Sequence, residues 1–378
     1  MKWGRTTNGL QPARWSINLL LAAAVAAQTA YSQAAPAVAI AASAADRRTI
    51  DSARAIMLAG MRRSGIPGAS VTVLRNGREI WSEGLGVADV ENNLPVTRLT
   101  KFRIGSVSKP ITAVAMAALV EEGKLDLDAP IQKYVPAFPV KKYPITAREL
   151  AGHLAGIRHY AGDEFLSNRH YANVMSSLDI FKNDTLLSRP GDKYSYSTYG
   201  FVLLSAVVEG AAGEPFLSYV RRRVFDQVGM RNTTPEFPDS IILHRARFYT
   251  RSDSVAPIIN SPWVDNSNKW AGGGFISTTQ DLARFGQAML DARVLKRATI
   301  DALWTPQHTA DGKATTYGMG WVVNTDSTGR RSVSHSGGSV GGTALLVIYP
   351  REQTVFAFLF NGDGRQPPLQ RAISLFLR

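Results

Sequence analysis

The chain has 378 residues and a net charge of +13, from 43 basic and 30 acidic side chains, and 45% of its residues are hydrophobic, which is ordinary for a globular protein. The absence of cysteine excludes disulfides, thiolate metal sites, iron–sulfur clusters and a cysteine nucleophile. The basic residues are scattered, and the one tight cluster, Arg221–Arg223, is typical of a solvated helix end. We therefore predict no nucleic-acid partner.

Residues 1–34 have the order of a secretory signal peptide. Three cations precede an apolar run over 15–27, and small residues stand at the −3 and −1 positions of a cleavage site after Ala34. We predict an exported protein, periplasmic or secreted, with a loose leader over 35–45. An uncleaved anchor and an organelle transit peptide remain alternatives. Because no later apolar run reaches about eighteen residues, we predict no membrane span after signal removal.

The rest of the pattern predicts strands near both ends of the chain and helices between them. Residues 46–64 have helical spacing, and Asn76-Gly77 between two apolar runs is a hairpin signal. A helix is expected over 111–122, and the stretch 128–246 is mostly helical or loop-like. Strand-like runs follow at 320–323, 332–334, 343–349 and 354–360, before a final helix over 366–378.

This order of elements predicts an α/β (α+β) fold. An antiparallel sheet, formed from both chain ends and flanked by helices, would carry an inserted, mostly helical domain. We expect the sheet domain to comprise 46–110 and 255–378 and the helical domain to comprise 111–254. The active site would lie between the two.

The first candidate for chemistry is the S-x-x-K stretch Ser106-Val107-Ser108-Lys109. On a helix, residues three apart share a face, so Lys109 would lie one turn from Ser106. At a helix start, free backbone N–H groups favour a developing oxyanion near Ser106. A serine nucleophile needs an adjacent base, and lysine serves only when neutral, which requires burial or a nearby cation to lower its pKa from ~10.4 by ~3.

Two further stretches can complete such a site. Tyr196 can relay a proton beside a lysine, although an isolated tyrosine is more often a core residue with a hydrogen-bonded hydroxyl. His335 follows a strand-like run and can orient or protonate a substrate near neutral pH, although a strand-end histidine is often structural. Gly337 and Gly338 allow a substrate to lie against the strand, whose backbone N–H can complete an oxyanion hole.

Other patterns are set aside. Gly337–Gly341 matches the G-x-S-x-G nucleophile elbow, but a strand-like run follows it and no histidine comes after His335. Gly272–Gly274 opens no dinucleotide-binding helix. His153 and His159 lack metal-ligand spacing, as do the remaining isolated histidines, and we interpret them as structural or surface residues. We predict no metal and no cofactor.

The order S-x-x-K, Y-x-[NST], [HK]-x-G resembles the serine beta-lactamase and penicillin-binding protein superfamily. The spacing and several longer stretches are most similar to its class C-like branch of beta-lactamase-related serine hydrolases, which includes the animal mitochondrial serine beta-lactamase-like proteins. These stretches are 81–92, 124–139, 153–160, 196–200, 245–249 and 264–282. The resemblance implies the beta-lactamase/DD-peptidase fold.

The resemblance also implies roles for the machinery that forms an acyl-enzyme. Ser106 would be the acylated nucleophile, Lys109 its base and Tyr196 a second proton shuttle. The backbone N–H groups of Ser106 and Gly338 would form the oxyanion hole.

Two positions depart from the pattern of the superfamily. His335 stands where classical beta-lactamases carry the lysine of K-T-G, and Thr198 stands where most relatives carry asparagine. The resemblance places Thr198 and Gly337 among the substrate-binding residues. Both departures weigh against efficient beta-lactamase action.

The expected function is an exported serine hydrolase acting through a Ser106 acyl-enzyme on peptide or peptidoglycan-like amides, as a peptidase or DD-carboxypeptidase would. Carboxylesters and beta-lactams are alternative small substrates for the same machinery. A binding or assembly protein that keeps this fold without turnover is the alternative of another class, because the animal relatives tend to self-assemble, and a homo-oligomer is left open. The loop 161–188 is expected to border the site.

Overall fold

The computed structural model describes residues 44–253, 256–363 and 366–378. The predicted signal peptide over 1–34 lies outside the described residues, as does most of the predicted leader. The described residues belong to one compact unit. The division into 46–110 with 255–378 and an inserted 111–254, with the active site between them, stays a prediction.

Helices and strands are numbered in chain order over the described residues. The helices are α1 (Ala44–Ser64), α2 (Ser108–Glu121), α3 (Ala147–Ala151), α4 (Val174–Ser177), α5 (Thr198–Ala212), α6 (Phe216–Val220), α7 (Asp226–Val228), α8 (Trp270–Gly273), α9 (Thr279–Leu290), α10 (Arg297–Leu303) and α11 (Leu369–Phe376). The strands are β1 (Gly68–Arg75), β2 (Arg78–Asp89), β3 (Leu94–Pro95), β4 (Phe102–Arg103), β5 (Thr234–Pro235), β6 (Tyr249–Thr250), β7 (Ile259–Asn260), β8 (Phe275–Ser277), β9 (Val322–Thr325), β10 (Arg331–Ser339), β11 (Gly342–Tyr349) and β12 (Thr354–Phe360). Short 3-10 turns include Gly105–Val107 and Asn266–Lys269, and Arg221–Phe225 forms a π-helical turn between α6 and α7.

The main sheet joins strands from both ends of the chain. Its order is β3-β2-β1-β12-β11-β10-β9, and neighbouring strands are antiparallel. The pair β1–β12 runs from Ala69 opposite Phe360 to Arg75 opposite Thr354. Asn76 and Gly77 connect β1 to β2 with φ values of 52° and 73°, the left-handed geometry that suits a two-residue hairpin turn. The sheet is therefore built as the sequence pattern predicts.

Helices cover both faces of this sheet. Val355, on one face of β12, contacts α9 so closely that a Cβ on Gly286 would lie 2.5 Å from its Cγ1. Phe356 points to the opposite face, where its ring lies 5.9 Å from that of Phe376 in α11. Every residue of β12 is buried, which explains why the strand reads as a continuous apolar run rather than an alternating one.

The helical layer beside the sheet is built around α2, α5 and α8, which pack against one another. Helix α2 is buried from Ser108 to Leu119 and α5 from Thr198 to Val208. A helix buried on all sides is expected to be apolar all round, so the polar side chains of Lys109 and Thr198 in these cores require partners.

Within the described part of the chain, no single helix is long and apolar enough to span a bilayer. Only the pair Thr198–Ala212 and Phe216–Val228, bent by 79°, passes that test together.

Candidate active site

Strand β10 lies directly against the turn that carries Ser106. This turn, Gly105–Val107, follows β4 and leads into α2. A Cβ on Gly337 would lie 2.0 Å from the carbonyl oxygen of Ile104, and one on Gly105 would lie 2.5 Å from that of Gly338. Gly105 also has a φ of 48°, in the left-handed region that favours glycine. The close approach of strand and turn therefore depends on the absence of side chains at these two positions.

Ser106 lies on the wall of a cavity of about 380 Å³, at the lower end of the ~300–1,000 Å³ range of small-molecule sites. Gly338 lines the same cavity, and a Cβ on it would meet open space. From the predicted bordering loop 161–188, Phe165 reaches the cavity. The lining residues are Ser106, His159, Tyr160, Phe165, Thr198, Lys269, Gly272, Gly273, Gly338, Ser339, Thr343 and Asp363.

Lys109 is fully buried, and its Nζ lies 3.0 Å from Ser106 Oγ. Burial, with a smaller effect from the Lys269 cation, lowers the pKa of Lys109 well below its ordinary value. The Nζ also donates to the carbonyl oxygen of Gly272 at 2.7 Å and to Thr198 Oγ1 at 3.2 Å. A neutral amine has two hydrogens and one lone pair, so these two acceptors leave the lone pair for the Ser106 hydroxyl. This is the arrangement of a general base beside its nucleophile.

The Ser106 hydroxyl is close enough to Tyr196 to act on its pKa. Burial raises the pKa of Tyr196, so the phenol is protonated in the resting protein. Its ring centroid lies 4.8 Å from Lys109 Nζ. The Ser106 hydroxyl therefore lies between two groups that can exchange a proton with it.

His335 has protein partners at both ring nitrogens. Nδ1 lies 2.6 Å from the carbonyl oxygen of Ser336, and Nε2 lies 2.8 Å from the hydroxyl of Tyr317. Because a carbonyl only accepts, Nδ1 carries the hydrogen and Nε2 accepts from Tyr317. Burial, with a smaller effect from Lys109, lowers the pKa of His335 to about 3, so the ring is neutral near pH 7. Its ring centroid stands 6.3 Å from that of Tyr196, and a direct role in catalysis stays a prediction.

Two histidines hold the segment that presents Tyr196 and Thr198. His153 Nδ1 accepts from the backbone N–H of Ser197 at 3.2 Å, and its ring packs 4.3 Å from that of Tyr196. His159 Nδ1 accepts from the backbone N–H of Thr198 at 3.1 Å, and burial lowers its pKa to about 4. Both contacts are structural, as interpreted from the sequence, which did not place the two rings beside Tyr196 and Thr198. The stretch 153–160, which carried part of the family resemblance, was the available signal.

Lys269 is a second buried lysine at the site, and it belongs to none of the motifs found in the sequence. Its side chain lines the cavity, and its Nζ donates to the carbonyl oxygen of Phe165 at 3.1 Å. Burial, then the charge of Arg103, lower the pKa of Lys269 to about 8. At neutral pH it therefore remains mostly a cation and helps to keep Lys109 neutral.

Hydrogen bonds join three of the predicted residues, since Lys109 Nζ contacts both Ser106 Oγ and Thr198 Oγ1, and the ring of Tyr196 lies 4.8 Å from the same Nζ. Gly338 shares the cavity, and Gly337 lies against the turn that carries Ser106. No group of three or more histidine, aspartate or glutamate side chains in the described ranges is arranged to hold a metal ion.

Comparison with known proteins agrees with this arrangement. The sequence profile of the family described as Beta-lactamase matches residues 53–376. The mitochondrial serine beta-lactamase-like protein LACTB of Bos taurus is 35% identical over 427 aligned positions, which cover 87% of this chain and 76% of that protein.

Two solved structures, each under 25% identical to this chain, show the shared fold. The octameric penicillin-binding protein homologue from Pyrococcus abyssi superposes with a TM-score of 0.75 at 23% identity, over 87% of this chain and 77% of its own. The D-amino acid amidase from Ochrobactrum anthropi SV3 gives 0.75 at 22% identity, over 87% and 97%. The predicted fold class is confirmed. The chain belongs to the beta-lactamase family and is a serine hydrolase of the beta-lactamase and penicillin-binding protein type.

Proposed function

We propose that this serine hydrolase cleaves amide bonds in peptide or peptidoglycan-like substrates through an acyl-enzyme on Ser106. The observation that carries the proposal is the environment of Lys109, which is buried, has a strongly lowered pKa and places its Nζ 3.0 Å from Ser106 Oγ. A serine hydroxyl becomes a competent nucleophile only beside such a base.

In the acylation step, Ser106 Oγ attacks the carbonyl carbon while its proton passes to Lys109. The backbone N–H groups of Ser106 and Gly338 stabilise the oxyanion. Tyr196 donates its proton to the leaving nitrogen as the C–N bond breaks, and the Lys109 ammonium returns a proton to Tyr196. Water then attacks the acyl ester, giving one proton to the same base, and the ester bond to Ser106 Oγ breaks to release the acid and restore the hydroxyl.

The order of substrates follows from the two departures from the family pattern. Thr198 offers no amide, and its hydroxyl already accepts a hydrogen bond from Lys109. His335 is neutral and bonded to Tyr317, so it supplies no cation at the K-T-G position. We therefore place amides first, carboxylesters second and beta-lactams last, as slowly acylating substrates. The amidase among the structural neighbours supports an amide preference on this fold.

The test is the intact-protein mass after exposure to a fluorescent penicillin and, separately, to a fluorophosphonate. Wild type is expected to gain one adduct, and Ser106→Ala none. Ser218→Ala, which removes an exposed serine hydroxyl of α6 outside the cavity, is the matched control and is expected to behave as wild type. A penicillin adduct that persists supports an amidase or esterase, and its rapid loss would indicate a beta-lactamase. Folded wild type that takes no adduct from either probe would overturn the proposal in favour of a binding or assembly protein.

We also propose that the protein is exported, on the charge and apolar order of residues 1–34. The relative named above carries a mitochondrial designation, which makes an organelle address the competing outcome. The mass of the mature protein purified from its own cells tests this, since cleavage after Ala34 predicts a chain that begins at Ala35.

The neighbour from Pyrococcus abyssi is octameric, and gel filtration of the mature chain tests the alternative of a homo-oligomer.

A further inference from the structure

Lys269 is a buried cation on the wall of the cavity that the mechanism above does not use as a reactant. It is 2% exposed, and it stands at the end of the 3-10 turn Asn266–Lys269, immediately before α8. Burying a charge without a counter-charge is costly, so a buried lysine requires either a partner or a function. The described residues provide only part of a partner.

An ammonium has three N–H donors, and one of them meets a protein acceptor, the carbonyl oxygen of Phe165. No carboxylate of the described residues forms an ion pair with Lys269. Glu236 already binds Arg103 at 2.7 Å, and Asp265 lies 2.9 Å from His170 Nδ1. Both acids act on the pKa of Lys269 from a distance, but their oxygens serve other groups.

Asp363, the acid among the described residues that line this cavity, is exposed and forms no ion pair with Lys269. Lys269 thus brings unused N–H donors to the cavity, beside the aromatic rings of Tyr160 and Phe165, whose centroids lie 5.4 and 4.8 Å from its Nζ. A compact anion with an apolar stem satisfies such a wall, because the rings pack against carbon and the donors bind oxygen.

We infer that Lys269 forms a carboxylate-binding subsite, so that the preferred substrate is an amide whose acyl half carries a carboxylate. The inference rests on the proposed function and adds the class of acyl group to it. The leaving amine must meet Tyr196, which does not line the cavity, whereas Ser106 and Lys269 do. The cavity therefore holds the acyl half, with its carboxylate at Lys269 and its carbonyl carbon at Ser106.

The test compares substrates that differ only in this charge. The N-acetyl p-nitroanilides of D- and L-glutamate are measured against those of D- and L-glutamine, which have the same size and leaving group. For at least one enantiomer, wild type is expected to prefer glutamate by about tenfold or more in kcat/KM, as a single charge-assisted hydrogen bond permits. Lys269→Met is expected to reduce this ratio to about one. Lys101→Met removes a partly exposed lysine that lies outside the cavity and is expected to keep the wild-type ratio.

A binding measurement separates this inference from the proposed function. Glutarate is expected to raise the Tm of Ser106→Ala, and uncharged glutaramide is not; the double variant Ser106→Ala with Lys269→Met is expected to lose the glutarate effect. If the fluorophosphonate labels wild type but neither anilide pair shows a charge preference and glutarate does not bind, the inference is wrong and the proposed function stands. If glutarate binds through Lys269 but wild type is never acylated, the carboxylate-binding subsite is supported and the proposed function is wrong. If Lys269→Met does not fold, Lys269→Gln replaces it, and the ratio of kcat/KM for the glutamate and glutamine anilides is compared between wild type and Lys269→Gln by the same criterion.

Discussion

The replacement of Lys109 by methionine tests the central claim about the site, because it removes the base while keeping a side chain of similar length in a fully buried position. General-base catalysis typically accelerates a reaction by a factor of about 10²–10⁴, which corresponds to a lowering of the activation barrier by about 3–5 kcal/mol. We expect the fluorophosphonate and anilide acylation rates of Lys109→Met to fall by this factor. Lys101→Met, the matched lysine outside the cavity, is expected to keep the wild-type rates.

The same variant reports the charge of Lys109 through stability. Because folding lowers its pKa well below 10.5, only the unfolded chain binds the proton at a pH between the two values. The quantity to compare is the free energy of unfolding of wild type minus that of Lys109→Met. Between the folded and the unfolded pKa of Lys109, this difference should rise by about 1.4 kcal/mol per pH unit, and it should fall as the pH drops towards the folded pKa. Both proteins carry Lys269, so its own titration cancels in the difference to first order.

The assay is urea unfolding of both proteins at pH 8 and pH 9, with the acylation rates measured on the same samples. Wild type should gain about 1.4 kcal/mol relative to the variant between these two pH values. A difference in stability that does not change with pH would mean that Lys109 is charged in the folded protein. Together with an acylation rate within about threefold of wild type, that result would refute the assignment of Lys109 as the neutral base.

Four further outcomes are expected. Thr198→Val removes the acceptor for a Lys109 N–H, and the unpaired donor in the core should lower the free energy of unfolding by about 1–3 kcal/mol and slow acylation. Thr198→Ser should keep both the stability and the acylation rate near wild type. Equal urea midpoints for the two variants would contradict this prediction. Gly337→Ala places a methyl group 2.0 Å from the carbonyl oxygen of Ile104, just before the turn that carries Ser106, so overpacking should destabilise the protein by about 1–3 kcal/mol and adduct formation should be lost. A crystal structure of the variant with an unmoved β10 would count against this prediction. Lys269→Met removes a cation that lowers the pKa of Lys109, so the acidic limb of kcat/KM for a neutral anilide should move to higher pH, and a limb that stays or moves down would be inconsistent with the reasoning. His335→Gln should leave the position of that acidic limb unchanged between pH 5 and 8, because His335, with a pKa of about 3, is already neutral there. If the acidic limb disappeared in this variant, His335 would be the titrating group.

Much of the fold follows from local sequence signals. The hairpin at Asn76-Gly77 has left-handed φ values at both positions, and the apolar run 354–360 is a strand covered on both faces. These predictions succeed because turn chemistry and hydrophobic periodicity act over a few neighbouring residues. Helix α2 begins at Ser108, earlier than its apolar pattern at 111, and the polar residues Ser108 and Lys109 are buried in its first turn.

The pairing of Ser106 with Lys109 could also be predicted from the sequence, since a separation of three residues on a helical turn brings their side chains together. The protonation state of Lys109 could not. It depends on burial beside α5 and α8, whose Thr198 and Gly272 lie 89 and 163 residues away along the chain, and on the Lys269 cation.

Tertiary structure alone decided the neighbours of the site. His335 matched a motif position, but only the packed protein shows that its Nε2 accepts from Tyr317. Lys269 matched no motif, and it belongs to the site because its turn buries the ammonium on the wall of the cavity beside Phe165. Sequence spacing specifies which groups meet within a few residues. Desolvation, and with it the charge each group carries, depends on chain segments that meet only when the protein is folded.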